Sequence, residues 1–165
     1  MRTSSVLPRM ESGGFARDTA WAMSEENMVL SRAYFDEIAR TSREGLDPEA
    51  TISKMAELWD PEIEWDTSEA PALDIGGIYR GIEGARQWCR EWFAAWEALQ
   101  FDFELIDAGD RVVTLLDLRM RGRFTGIEVA LGKHAWVTTF RDGLMVHNKL
   151  YMSQSEALEA AGLEE

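Results

Sequence analysis

Residues 112–120 read Val-Val-Thr-Leu-Leu-Asp-Leu-Arg-Met, in which Val112, Leu116, Leu118 and Met120 fall on even positions, with Thr114 among them. This period of two predicts a β-strand with one buried face. The sequence Gly-Arg-Phe-Thr-Gly at 122–126 predicts a reversal, after which the chain continues as a second strand as far as Phe140. The long hairpin over residues 108–140 therefore organises the predicted fold.

The register of this hairpin decides which residues share the buried face. If the strands pair about Phe124, residue 114 lies opposite residue 134, and residue 112 lies opposite residue 136. His134 and Trp136 then share the apolar face with Leu116 and Leu118. His134, on the inner wall of a curved sheet, is the residue of this hairpin that indicates a catalytic role.

Length and composition favour one globular domain. The 165 residues are enough for one hydrophobic core and few for two. The 45% hydrophobic and 28% charged fractions are ordinary, whereas seven Trp and eight Met are many for this length. These bulky side chains can fill a thick core or line a cavity.

The formal net charge of -13 disfavours a nucleic-acid partner, because phosphate recognition needs a basic surface. Arg119, Arg121 and Arg123 form a local cluster, but they alternate along one strand. We therefore expect them on a solvated or subunit-facing sheet surface. No stretch approaches the roughly 18 apolar residues of a membrane span, so we expect no membrane insertion.

Cys89 is the only cysteine, which excludes an intrachain disulfide and a cysteine-rich metal site. It stands beside Trp88 in a helical pattern, which favours a buried, inert thiol over a nucleophile. A reducing, cytoplasmic location fits this cysteine usage best.

Residues 1–22 are expected to form a flexible N-terminal extension to a domain that comprises residues 23–165. The extension is interrupted by Pro8, Arg9 and a pair of glycines, so it lacks the continuous apolar region of a secretion signal. The sequence Met-Ser-Glu-Glu at 23–26 has the character of a natural beginning.

Three helices are predicted before the long hairpin. The first follows Ser24, the second starts at Asp47-Pro48 with Trp59 on its apolar stripe, and the third spans Ile82 to Leu99. The third helix carries three tryptophans at four-residue spacing, which favours a core face but also suits a helix that covers a hollow sheet. Short strands at 63–66, 101–106 and 144–152 and a closing helix at 156–161 complete an α+β domain.

Five short motifs carry a resemblance to a known family, and they are WDPEIEW at 59–65, YRGIEG at 79–84, DAGDRVV at 107–113, TFRDG at 139–143 and EALEAAGL at 156–163. In their order and spacing they resemble the SnoaL-like branch of the nuclear transport factor 2 (NTF2-like) superfamily. The resemblance implies an NTF2-like cone, in which a strongly curved antiparallel sheet wraps around the N-terminal helices and encloses a pocket. It also implies a homodimer formed through the outer face of the sheet.

The same resemblance implies several activities, because this fold hosts polyketide cyclases, ketosteroid isomerases, scytalone dehydratases, epoxide hydrolases and pure binders. Cyclases and isomerases abstract a proton next to a carbonyl with a base held in an apolar pocket. We therefore expect a cyclase, isomerase or lyase that needs no cofactor and acts on a hydrophobic or aromatic small molecule. A non-catalytic binder and a limonene-type epoxide hydrolase are the alternatives.

His134 and Asn148 resemble the cyclase histidine and aspartate that face each other across adjacent strands. An amide cannot act as a base, so His134 is the expected catalytic group, and Asn148 is expected to orient it or to bond a substrate oxygen. The alternative for His134 is a core histidine satisfied by one hydrogen bond. The expected substrate-binding wall comprises Tyr34, Trp59, Trp65, Trp88, Trp92, Leu116, Leu118, Trp136 and Leu150.

Other polar residues are weaker candidates. Asp117 and Arg119 resemble the charged pair of the epoxide hydrolases with the order reversed, but the alternation predicts that both lie outside. Asp66 could correspond to the isomerase base, although Trp65 fits the inward direction better. No metal site is expected, because His134 and His147 stand on opposite strand faces.

Overall fold

The computed structural model describes the backbone of residues 7–70 and 76–163, with side chains from residue 21 onward. This part of the chain is an α+β domain, as predicted. Its elements in chain order are α1 Leu7–Glu44, α2 Pro48–Ala56, β1 Trp59–Asp66, β2 Ile78–Arg80, α3 Gly81–Ala95, β3 Trp96–Ala108, β4 Arg111–Gly122, β5 Glu128–Arg141, β6 Leu144–Tyr151 and α4 Gln154–Ala160.

The six strands form one curved sheet in the order β2-β1-β6-β5-β4-β3. Neighbouring strands are antiparallel except β1 and β6, which run parallel. The curved sheet is thus mainly antiparallel, as predicted, and contains one parallel pair that the prediction did not include. Strands β1 and β6 are remote in sequence, so no hairpin turn imposes an antiparallel direction on them.

The β4–β5 hairpin forms as predicted, but its register differs from the expected one by two residues. Leu116 lies opposite His134, and Thr114 lies opposite Trp136. The expected pairing had placed residue 114 opposite residue 134. Because the displacement is an even number of residues, the side chains expected on one face stay together on that face.

A turn and a β-bulge each supply one residue of this displacement. Next to the turn, Met120 pairs with Val129, which is already one residue beyond the symmetric pairing about Phe124. Farther along, Leu131 is an extra residue between two ladder pairs, and the following Gly132 has a φ of +76°. A glycine in this left-handed conformation is typical of a bulge.

Three predicted element boundaries are wrong. Helix α1 begins at Leu7 rather than after Ser24. Helix α3 ends at Ala95, because Trp96 takes an extended conformation and starts β3. Trp59 starts β1 and is not on the stripe of α2, which ends before it.

The proposed extension over residues 1–22 stays a prediction. Its first six residues lie outside the described part of the chain. The remainder belongs to the backbone of α1, which continues without a break past the expected boundary at residue 22.

The sheet has an inner face, which carries Leu116 and Leu118 of β4, and an outer face, which carries Val113 and Leu115. The main hydrophobic core lies between the inner face and helices α1, α2 and α3. A smaller cluster on the outer face packs Val113, Ala135 and Val137 against α4. The two faces therefore have separate apolar cores, and only the inner one contains aromatic rings in quantity.

Candidate functional site

A cavity of about 290 Å³ lies between the inner face of the sheet and the three helices that cover it. None of the described residues that line it carries a charged side chain at neutral pH. A concave space of this size and polarity is typical of sites that bind apolar small molecules.

All residues of the expected wall except Trp59 line this cavity. Trp59 lies behind the wall, where its indole Nε1–H donates to the hydroxyl oxygen of Tyr34 at 3.2 Å. Its ring also makes an edge contact with Trp65, with centroids 5.3 Å apart. Trp59 therefore supports the wall and does not line the cavity, where the expectation had placed it.

Three tryptophan rings meet at one side of the cavity. The centroid of Trp65 lies 5.6 Å from those of Trp88 and Trp136, and the latter two are also 5.6 Å apart. Mutual edge and tilted contacts at this spacing stabilise aromatic clusters beyond the burial of their area. The result is a continuous aromatic wall on this side of the cavity.

His134 lies on the inner face of β5, is 3% exposed and lines the cavity. Its Nδ1 lies 3.0 Å from the carbonyl oxygen of Gly132. A carbonyl oxygen can only accept, so Nδ1 carries the hydrogen in this bond. In the neutral ring, Nε2 is then the unprotonated nitrogen, which makes it the atom able to accept a proton.

Burial lowers the pKa of His134 below its ordinary value of 6.5, and the bond to Gly132 and the charge of Asp117 oppose this effect without cancelling it. The physical reason is that an imidazolium is poorly solvated in an apolar cavity. At neutral pH the ring is therefore uncharged and available as a base.

The β-bulge sets the orientation of this histidine. Gly132 stands two residues before His134, and its left-handed backbone places its carbonyl oxygen within reach of the imidazole. The same bulge exchanges the faces of β5, because Val129 and Leu131 line the cavity before it, whereas His134 and Trp136 line it afterwards.

Asn148 also lines the cavity, but it does not pair with His134. The β5–β6 register places Thr138 opposite Asn148, and the hydroxyl of Thr138 donates to Asn148 Oδ1 at 2.7 Å. The expectation that Asn148 orients the imidazole is therefore wrong. The pairing inferred from the family pattern failed because Thr138, four residues beyond His134, occupies the opposing position.

Tyr34 brings a phenol to the helical side of the cavity. Burial raises the pKa of Tyr34, the nearby Cys89 adds to this effect, and the bond from Trp59 opposes it. The hydroxyl is thus protonated at neutral pH and can act as a donor. Cys89 is itself buried, and burial raises the pKa of its thiol, which confirms the prediction of a buried cysteine and excludes a resting thiolate.

The family model of the SnoaL-like domain matches residues 32–148. The chain belongs to the SnoaL-like family. No curated protein sequence matches this SnoaL-like chain.

Solved structures agree on an NTF2-like fold. An NTF2-like protein from Burkholderia pseudomallei is 19% identical, with a TM-score of 0.60 over 81% of this chain and 95% of that chain. A candidate polyketide cyclase from Xanthomonas campestris is 13% identical, with a TM-score of 0.59 over 84% and 98%. TerC, co-crystallised with polyporic acid, is 18% identical, with a TM-score of 0.57 over 83% and 98%. Identities this low establish the fold alone.

The polar residues outside the cavity are placed as expected for this SnoaL-like chain. Asp117 and Arg119 are exposed on the outer face of β4. His147 also lies outside, with its Nε2 3.3 Å from a carboxylate oxygen of Glu64. Asp66 accepts a hydrogen bond from Ser68 Oγ at 2.6 Å and does not line the cavity. The described cavity wall thus lacks the carboxylates of an epoxide hydrolase, which removes support for that alternative.

Some residues of the cavity wall were not predicted, because the bounds or the face of the strand that carries them were predicted wrongly. Trp96 and Phe101 line the cavity from β3, whose first residues were assigned to a helix. Val129 and Leu131 line it because the bulge changes their face. Gly132 is the signal in the sequence that could have located this bulge.

Two further properties of the SnoaL-like chain concern membranes and metal ions. In the described ranges, no helix combines the length and the apolar character needed to cross a membrane. The same part of the chain brings together no group of three histidine, cysteine, aspartate or glutamate side chains that could hold a metal ion.

Proposed function

We propose that this protein binds a hydrophobic, aromatic small molecule in its tryptophan-lined cavity and acts on it as a cofactor-independent cyclase, isomerase or lyase. His134 is the proton-transfer group. The observation that carries the proposal is the environment of its imidazole, in which Nδ1 is held by the Gly132 carbonyl and the ring is buried and uncharged.

The chemistry begins with removal of a proton from a C–H next to a substrate carbonyl. His134 Nε2 takes the proton, the C–H electron pair moves toward the carbonyl oxygen, and an enolate and an imidazolium form. Return of that proton to another carbon gives an isomerase. Attack of the enolate carbon on a second carbonyl closes a ring, and departure of a leaving group from the neighbouring carbon gives a lyase.

The cavity supports such a reaction by what surrounds the imidazole. An apolar wall keeps water away from the base, and Tyr34 and Asn148 supply uncharged donors for an oxygen that gains negative charge. The phenol of Tyr34 and the amide of Asn148 both stay uncharged at physiological pH, so neither of them protonates His134. The likeness to a candidate polyketide cyclase and to TerC, crystallised with polyporic acid, agrees with an aromatic ligand.

The second candidate function is non-catalytic binding in the same cavity. It is favoured by the absence of a carboxylate from the described wall, because an imidazolium formed there lacks a counter-charge. In either case we expect a homodimer through the part of the outer sheet face that α4 leaves uncovered, a state that sedimentation analysis can measure.

Hydrogen–deuterium exchange separates the two candidates. β-Tetralone is an aromatic ketone with acidic C–H groups next to its carbonyl, and its exchange in heavy water is followed by NMR. We expect the protein to accelerate this exchange and His134→Gln to lose about a hundredfold or more of the acceleration while it keeps the affinity for the ketone.

His147→Gln is the matched control, because His147 lies on the outer face, and its exchange rate should equal that of the parent. Equal rates for parent and His134→Gln would reject His134 as the base. Binding without any acceleration would support the non-catalytic candidate, and a failure to bind would reject both.

A further inference from the structure

His134 divides the sheet side of the cavity into two halves of different chemistry. The aliphatic half lies between His134 and the β4–β5 turn, and there the lining residues of these two strands carry no aromatic ring. They are Leu118 and Met120 of β4 and Val129 and Leu131 of β5. The aromatic half lies in the opposite direction and begins with Trp136, the next residue of β5 on the same face.

The aromatic half is formed by buried side chains. Trp65, Trp88 and Trp136 are at most 9% exposed, and their three ring centroids lie 5.6 Å from one another. Leu150, the register partner of Trp136, is also buried and lines the same half. Planar rings at this spacing suit contact with a flat aromatic ring of a ligand.

The aliphatic half leads to the surface of the protein. Val129 and Leu131 are half-buried, whereas the rings of the aromatic half are buried. The tryptophans that follow Trp88 show the same gradient, because Trp92 and Trp96 also line the cavity but are half-buried. The cavity therefore opens beyond the aliphatic half, and a ligand that fills it has one end among buried rings and the other near solvent.

The strand register gives the length of the aliphatic half. Leu116 is the β4 partner of His134, and Met120 is the β4 partner of Val129, so the two pairs stand four residues apart. This separation corresponds to about 13 Å along a strand. The thioether side chain of Met120 is unbranched and flexible, so it can adapt to a neighbouring chain. The aliphatic half therefore offers an elongated, adaptable apolar surface.

We propose that the cavity selects a two-part ligand, with a flat aromatic ring in the aromatic half, an alkyl chain in the aliphatic half and the reacting C–H group at their junction beside His134. An aryl alkyl ketone has this form, because the carbon next to its carbonyl begins the chain. The inference rests on the proposed function, since it names the ligand class of the same cavity. Removal of the chain from water supplies the selection, because each buried methylene group adds to the affinity.

Three phenyl ketones of increasing chain length test the two-part ligand. Acetophenone, butyrophenone and hexanophenone share one ring and one carbonyl, and each successive member adds two methylene groups to the chain. Their affinities are measured by calorimetry. We expect the affinity of the parent protein to rise about threefold for each methylene group, slightly less than full burial provides, because the aliphatic half is partly open.

Two variants fill the aliphatic half. Val129→Trp and Leu131→Trp each place an indole where the chain should lie, and both sites are half-buried, so the added volume can extend toward solvent. We expect the gain per methylene group to disappear almost completely in each variant. Ala130→Trp is the matched control, because Ala130 stands between them in the sequence but is exposed on the outer face. Its gain should stay at about threefold.

Circular dichroism and thermal unfolding establish that each variant is folded, and methyl NMR of the parent tests the order of the two parts. The ring current of a bound phenyl ring should shift the methyl resonances of Leu150 more than those of Val129, and the reverse would overturn the proposed order.

Equal affinities of the parent for the three ketones, or a gain per methylene group that survives in both filled variants, would overturn the two-part ligand. Binding of the ketones in those cases would leave the proposed function standing. Failure of all three ketones to bind the parent would overturn the proposed function itself.

Discussion

The two faces of the β4–β5 hairpin carry opposite chemistry, although their residues alternate one by one along the same strands. On the inner face, Leu116 lies opposite His134 in an apolar cavity. On the outer face, the adjacent pair is Asp117 and Lys133, both exposed, with Asp102 of β3 on the other side of Asp117.

The difference shows where substitutions should have consequences. A polar group on the inner face must find a partner inside the protein, as His134 does with Gly132 and Asn148 does with Thr138. Outer-face charges are solvated by water, so they need no fixed partner and contribute little to stability. Changes on the inner face should therefore alter stability and proton affinity strongly, whereas matched changes on the outer face should have small effects, such as that of the Asp117 charge on the pKa of His134.

The largest effect is expected from truncation of the aromatic wall. Trp65→Ala removes a ring that contacts Trp59, Trp88 and Trp136, and it should lower the free energy of unfolding by about 3–5 kcal/mol. Urea unfolding followed by circular dichroism measures this change. A loss below about 1 kcal/mol would mean that the wall is not closely packed around Trp65.

A smaller effect is expected at the bulge. Gly132→Ala places a side chain at a φ of +76°, and since no other atom lies within 4 Å of the added carbon, the cost is backbone strain of about 1–2 kcal/mol. Gly126→Ala is the matched control, with a φ of +70° and similarly open surroundings in the hairpin turn.

The two glycine variants should lose similar stability, but only Gly132→Ala should change the imidazole. The nitrogen chemical shifts of the His134 ring report which nitrogen carries the hydrogen. If Gly132→Ala loses stability but leaves the nitrogen chemical shifts of His134 unchanged, the claim that the bulge orients this ring would be contradicted.

The fold was predictable because it depends on alternation and order, which the sequence displays. His134 and Trp136 lie on the inner face as predicted, although the predicted register was wrong by two residues. An even displacement keeps each side chain on the same face of the sheet. The face of Val129 was not predictable from alternation, because the bulge at Leu131 interrupts the period.

The site was predictable in its apolar wall and less so in its polar contacts. Burial depends on residue type and periodicity, and these placed Trp65, Trp88 and Trp92 on the cavity. Hydrogen bonds depend on local geometry, so the partner of His134 is a backbone carbonyl that no side-chain pattern reveals. The early end of α3 at Ala95 was missed because the sequence WEAL at 96–99 suits a helix as well as a strand.

Acidification should lower the free energy of unfolding through His134 on the inner face. Burial lowers the pKa of folded His134 below 6.5, so between 6.5 and that lower value the unfolded chain binds more protons than the folded one. Stability contributed by the neutral ring is thus present above pH 6.5 and is lost as the pH falls through this window.

Relative to His134→Gln, the parent should lose stability on acidification from about pH 7.5 to the lower end of this window, because glutamine does not titrate. Urea unfolding at a series of pH values measures the difference between the two proteins. Parallel pH curves for parent and His134→Gln would show that the histidine is not desolvated in the folded state.

The smallest effect is expected on the outer face. Asp117→Asn removes the repulsion from Asp102 on one side and the attraction to Lys133 on the other, so the two effects offset each other and stability should change by no more than about 0.5 kcal/mol. The exchange of β-tetralone should be unaffected. A large loss of that activity would show that Asp117 takes part in catalysis, and it would restore support for the epoxide hydrolase alternative.

The most direct test of the central claim is a titration of the His134 ring by nitrogen-15 NMR. The structure predicts hydrogen on Nδ1, an unprotonated Nε2 at neutral pH and a pKa below 6.5 that falls further when an apolar ligand excludes water. A ring with hydrogen on Nε2, or one that titrates at or above 6.5 and ignores the ligand, would contradict it.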